Sequence, residues 1–193
     1  MPPVNQQRRA ALADAAIAIV AQEGTHRLSH RTVDETAEVP RGTTSNYFRS
    51  RDALLEATVA RVVELHFAWI GGLRAQHEGE LNRTTLQGIL TSVLQEAVTT
   101  HRDRYRAMLE LLLESTRRPE LHEALTRIFS GAFELVQEAH RAEGVEPTEE
   151  EVHLLRVCYI GVLFGYVVMP ETMTVLNAGD TAGALIDAVL AKI

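Results

Sequence analysis

No stretch of this 193-residue chain alternates apolar with polar residues for long enough to make a half-buried strand. Apolar side chains recur instead at i, i+3 and i+4, which winds them onto one face of a helix. Residues 8–23 carry Leu12, Ala16, Ile19 and Val20 on one face, and Gly24 marks a C-terminal stop. Short helices are expected over Ser29–Thr36 and from Pro40. A long one follows over Asp52–Gln76, with Leu55, Val59, Val62, Val63, His66 and Phe67 on one face and a bend expected at Gly71-Gly72. Further helices are expected over Thr84–Thr100, Arg102–Ser115 and Pro119–Glu143, the last opening on proline and followed by Gly144. Thr148-x-x-Glu151 reads as a capping box for a helix reaching Met169, where Pro170 stops it. Asp180 is expected to cap a final helix through Ala191. The fold class is therefore all-α, with about nine helices.

The single cysteine, Cys158, excludes an intrachain disulfide and the cysteine-rich zinc clusters. That fits a reducing, cytoplasmic compartment. The N-terminus shows no apolar stretch before its charges, so no signal peptide is expected. The longest apolar run, Val157–Met169, is 13 residues, short of the roughly 18 that a membrane span needs. A buried core helix is the simpler reading. A formal net charge of −7 argues at first against a polyanion-binding protein.

The segment Leu28–Leu55 reverses that impression. It reads as two short helices around a tight turn at Ala37–Val39, with Ser29 placed to cap the first and Pro40 near the start of the second. Between Arg41 and Tyr47 the chain offers an arginine, a glycine, three hydroxyl residues, an asparagine and a tyrosine. Only Tyr47 and Phe48 are suited to anchor such a helix to a core. A short helix with so little apolar surface has to be presented to something polar, and the major groove of DNA fits. Arginine binds guanine O6 and N7 in bidentate fashion, and asparagine does the same with adenine. The candidate DNA-binding residues are Ser29, His30, Arg31, Arg41, Gly42, Thr43, Thr44, Ser45, Asn46, Tyr47 and Arg51. Gly42 would allow close backbone approach, Tyr47 and Arg51 would reach phosphates, and Ser29 and Arg31 lie at a helix start that favours an anion.

The block Val39-Pro-Arg-Gly-Thr-Thr-Ser-Asn-Tyr-Phe-Arg-Ser-Arg-Asp-Ala-Leu-Leu55 resembles the helix-turn-helix of TetR (tetracycline-repressor) family transcriptional regulators. The likeness covers roughly residues 8–55; beyond it, only length and helix count are similar. Two positions depart from the family pattern. Asp34 stands where a small alanine is common, and Glu38 stands where the turn usually has glycine, so a left-handed backbone there would strain Glu38.

The resemblance implies a homodimer whose last two helices pack against the partner's. The residues agree: Val157–Met169 is apolar all round and needs neighbours on every side. Gly161 and Gly165, four apart, permit close helix approach, and Leu185, Ile186 and Val189 share a face of the final helix. Two reading helices on a twofold axis match a palindromic double-stranded operator. The resemblance also implies a small-molecule site among the C-terminal helices. His66, Trp69, Leu73, Met108, Leu112, Phe129, Phe133 and Tyr159 are candidates for an apolar ligand, each with plain core packing as its alternative.

Catalytic readings find no support. His101, Asp103 and Tyr105 would point in different directions on a helix, and His122, His140 and His153 are too far apart in sequence for a local metal motif. Glu149–Glu151 suits the acidic first turn of a helix, and Arg117-Arg118 a solvated helix end. No nucleophile motif, phosphate loop or cofactor turn is present, so no enzyme activity, cofactor or metal is expected.

The leading expectation is a ligand-responsive DNA-binding regulator, a repressor released by its ligand. The alternatives are a regulator of the same fold with no small-molecule ligand, and an all-α enzyme or interaction protein. Charge supports the division 1–51, a reading domain, and 52–193, a ligand-binding and dimerisation domain. The first holds seven arginines against five acids, a net +2; the second holds 12 basic against 21 acidic residues, a net −9.

Overall fold

The computed structural model describes residues 3–76, 82–128, 141, 148–173 and 177–190, and among these the regular structure is helical throughout. The helices are α1 (Pro3–Glu23), α2 (His30–Thr36), α3 (Thr43–Tyr47), α4 (Arg51–Ala75), α5 (Arg83–Val98), α6 (Arg102–Ser115), α7 (described over 119–128), α8 (Glu149–Val168) and α9 (Ala178–Leu190). Short 3-10 turns lie at Thr25–Arg27 and Pro170–Thr172.

The expected caps mostly form. Ser29 accepts from the Thr32 backbone, with Thr32 returning the bond, to open α2. Thr148 and Glu151 form the reciprocal capping box of α8. The final helix differs: Asn177 is its cap, accepting from the Asp180 backbone at 2.9 Å, so Asp180 sits inside the first turn. Pro40 does not open α3 either. It starts a turn that ends at Gly42, whose φ of 89° only glycine adopts without strain. Helix α4 continues through Gly71-Gly72 without a break.

The contacts divide the chain into two compact units, 1–66 with 103–126 and 67–102 with 127–193. In the first, Leu12, Ala16, Ile19 and Val20 of α1 are all buried, as their spacing requires. Leu28, Val33, Phe48, Leu54, Leu55, Val59, Val62, Tyr105, Met108 and Leu111 complete that core. At its margin Arg61 of α4 grips Asp14 of α1 through two hydrogen bonds, at 2.7 and 3.1 Å. Arg118 ties Asp52 at 2.6 Å and Glu114 at 3.2 Å. The second unit packs α5, α8 and α9 together, with Leu86, Ile89, Val93, Leu94, Leu163, Tyr166, Ala182 and Ile186 buried. Arg83 pairs with Asp187, and the Tyr166 hydroxyl meets Thr181 Oγ1 at 2.9 Å.

Helix α8 is, among the described residues, the one helix long and apolar enough to cross a membrane. Its first turn is three glutamates and it packs on α5 and α9 with a third of its apolar window buried, less than the buried core helix expected from the sequence.

The turn between α2 and α3 places Glu38 at φ 52°, the left-handed region expected from the missing glycine. Glu38 is exposed, and among the described residues its side chain enters no hydrogen bond or ion pair that would reward the conformation. Glu38→Gly is therefore expected to stabilise the protein by about 1 kcal/mol, a rise in melting temperature of roughly 2–4 °C. Thermal unfolding of the two proteins measures it, and an unchanged or lower midpoint contradicts it.

Candidate nucleic-acid interface

Helix α3 has five residues, too few to be stable alone. Its N-cap, Gly42, has no side chain to satisfy the free backbone donors there. A residue from α2 supplies what is missing. The carboxylate of Asp34, itself buried, accepts from Gly42 N at 2.7 Å and from Thr44 N at 2.8 Å. It also accepts from the Thr44 hydroxyl at 2.6 Å. Burial alone would raise the Asp34 pKa. The Thr44 and Gly42 donors and the nearby His30 outweigh it, so the carboxyl titrates below its ordinary value. One charged side chain thus fixes both the start of α3 and its angle to α2.

The far end of α3 is held by Phe48, which is fully buried. His30 Nε2 lies 2.7 Å from the Phe48 carbonyl, and since a carbonyl only accepts, that nitrogen carries the proton. Arg9 of α1 donates to the Tyr47 carbonyl at 3.1 Å and lies over the Phe48 ring. Arg51 reaches back to the Leu28 and Thr25 carbonyls, at 3.1 and 2.6 Å.

The eleven candidate residues therefore fall into two groups. Ser29, His30, Thr44 and Arg51 each hydrogen-bond within the motif, Arg51 while still exposed. Arg31, Arg41, Gly42, Ser45 and Asn46 are exposed, and Thr43 and Tyr47 are half-exposed. Thr43 and Ser45 hydroxyls bond to the Pro40 and Gly42 carbonyls, which fixes their rotamers. The sequence offered no way to see Asp34 and Arg9 as supports, because their partners lie eight or more residues away.

The candidate ligand residues are placed unevenly. His66 and Met108 are buried and Leu112 half-buried, in the first unit. His66 meets the Tyr105 ring edge-on, and burial together with the charge of Arg104 pushes its pKa down to about 4. It is thus neutral near pH 7. Trp69, Leu73 and Tyr159 are half-buried in the second unit, with Trp69 edge-on to His101. Phe129 and Phe133 lie outside the described residues.

Of the candidate interface residues, Leu185 and Ile186 are buried within the chain because α9 turns that face onto α5 and α8. Gly165 is also buried, close against Met173, while Gly161 faces open space. The Val189 side chain is outside the described set. Gly161 lies on an exposed apolar face of α8 whose large side chains had not been named individually as interface residues. Leu154, Val157, Phe164 and Val168 are 44–54% exposed and, with Gly161, follow a 3-4-3-4 spacing along α8.

A family model for bacterial regulatory proteins of the tetR family matches residues 12–58, and one for the tetracyclin repressor-like C-terminal domain matches residues 81–192. The chain belongs to the TetR family. As a TetR-family chain it is a transcription regulator and not an enzyme. Similar solved structures include the TetR-family member SCO1917 from Streptomyces coelicolor A3, 26% identical with a TM-score of 0.69, covering 95% of this chain and 96% of that one. The multidrug binding protein EbrR complexed with imidazole is 28% identical, TM-score 0.64, with 92% of each chain covered. EbrR complexed with malachite green is 24% identical, TM-score 0.70, covering 97% of this chain and 98% of that one. A comparison with curated protein sequences found no match.

Removing the Asp34 carboxylate strands three donors at the start of α3. Asp34→Ala is expected to lower stability by about 3 kcal/mol, from buried donors left unsatisfied. Because the folded pKa is depressed, the carboxylate's contribution is complete above the unfolded value of about 3.9 and disappears as pH falls through the folded one. Wild-type stability should therefore drop more steeply below about pH 4 than that of Asp34→Asn. Chemical denaturation of both proteins across that range measures it; parallel pH curves contradict it.

Proposed function

We propose that this TetR-family chain is a homodimeric repressor that binds a palindromic operator through α2 and α3 and is released by a small-molecule ligand. The observation that carries the reading is α3 itself. It is too short and too polar to be a core element, yet it is held rigidly by Asp34, Phe48 and Arg9, with Arg41, Ser45 and Asn46 turned outward. Preorganised polar side chains on a fixed helix are what reading of base edges requires. The net +2 over residues 1–51 against −9 over 52–193 orients the molecule, with the reading domain toward DNA and the regulatory domain away from it. Such a protein works in the cytoplasm, where its operator is.

Dimerisation is supported by the stripe Leu154, Val157, Gly161, Phe164 and Val168. Its 3-4 spacing is that of a helix seam, and Gly161 leaves room for close approach. The ligand reading is supported by the shared fold with EbrR, a multidrug binding protein, and by the aromatic character of the half-buried Trp69 and Tyr159 within one unit. Release would be a population shift toward a state whose two reading helices no longer match the groove spacing.

Gel-shift or anisotropy titration with a selected duplex tests the DNA reading. Arg41→Ala and Tyr47→Ala are each expected to weaken binding about tenfold or more, while sedimentation still shows a dimer. Unchanged affinity in both would remove α3 from the interface. Val157→Glu with Phe164→Glu is expected to give a folded monomer by sedimentation, since it buries two charges in the seam; a persisting dimer would place the interface elsewhere.

A further inference from the structure

The carboxylate of Glu35 lies between two guanidinium groups that come from different elements. Arg31, one turn earlier on α2, donates its Nε–H to Glu35 Oε1 at 2.9 Å. Arg41, in the turn before α3, brings Nη2 to 3.9 Å from the same oxygen. All three side chains are at least half exposed. Exposed ion pairs of this kind add little to stability, and a carboxylate on a face that approaches DNA repels phosphate. Stability therefore does not account for Glu35.

What the contact fixes is direction. An arginine held through Nε has the plane of its guanidinium set and still offers the end-on pair of N–H bonds, one from each terminal nitrogen. Those two nitrogens are the pair that meets guanine O6 and N7. A side chain already held in one rotamer also loses less freedom on binding. The neighbouring acids do not compete for the role: the Asp34 carboxylate is turned inward onto Gly42 and Thr44, and Glu38 lies beyond the end of α2.

We propose that Glu35 is a positioning residue for sequence reading, setting the Arg31 fork toward a guanine edge and holding Arg41 on the same face. The inference rests on the DNA-reading role proposed above. It assigns the operator half-site a guanine where Arg31 meets it, and makes the Glu35 charge a discriminator, since a duplex lacking that guanine meets the carboxylate with no compensating contact.

The test uses the full-length protein. Wild type first selects sites from a random-sequence duplex library, and each position of the selected half-site is then changed singly. Arg31→Ala is expected to lose discrimination at one guanine position. Glu35→Ala should lose about fivefold or more at that same position and keep its discrimination elsewhere. Glu35→Gln, which retains an acceptor oxygen, should keep more than Glu35→Ala, and the double variant should read that position no worse than Arg31→Ala alone. Unchanged discrimination in Glu35→Ala overturns the inference, as does an equal loss of affinity for every sequence, or effects of the two substitutions that add independently. Failure of the wild type to enrich any sequence overturns the DNA-reading role itself, which separates the two.

Discussion

The α2–α3 motif of this protein depends on one buried carboxylate. Helix α3 has neither the length to persist alone nor a capping side chain of its own. Asp34 satisfies the donors at its start from the neighbouring helix, and the same three bonds fix the angle between α2 and α3. The remaining supports work on a helix that Asp34 has already placed. Phe48 is buried beneath its C-terminal end, Arg9 and His30 hold the carbonyls there, and Arg51 fastens the start of α4 to the loop before α2. The Asp34 charge is turned inward, its two oxygens accepting three bonds from Gly42 and Thr44.

Much of the fold was legible because its determinants are local. The face of α1, the Leu55, Val59, Val62 and His66 part of the α4 face, the Ser29 cap and the Thr148–Glu151 box all depend on residues three or four apart, a distance at which sequence and geometry correspond directly, whereas Phe67, expected on that α4 face, is 41% exposed. The left-handed Glu38 was legible for the same reason, since a turn this tight leaves few backbone options. The cap of α9 was misplaced by three residues because Asn177 and Asp180 are both good caps, and only the backbone direction chooses between them.

The candidate site was legible in outline and not in role. The types of Ser29, His30, Thr44 and Arg51 suit phosphates and bases, yet the structure engages each with a protein partner. Donors are chemically the same whether they meet a carbonyl or a phosphate, so residue type alone cannot divide them. Asp34 illustrates the reverse case. It departs from the family pattern, and its meaning appears only with a partner ten residues away. The apolar stripe on α8 was hidden by excess rather than absence, because in a helix that is apolar all round the exposed face is set by what α5 and α9 cover.

If α3 reads DNA as proposed, the capture of the Thr44 hydroxyl by Asp34 bears on how much information that helix can extract from a duplex. Five residues of helix extend about 7 Å, which spans roughly two base-pair steps of 3.4 Å. With Thr44 turned inward, the outward vocabulary of α3 shrinks to a few side chains. A word two or three base pairs long recurs every few tens of positions, against a genome offering on the order of a million or more competing sites. Helix α3 by itself would therefore specify very little. Under the proposed function, an address of useful length would be spelled by several short words at fixed separation, so the spacing between them would carry as much of the message as the side chains do.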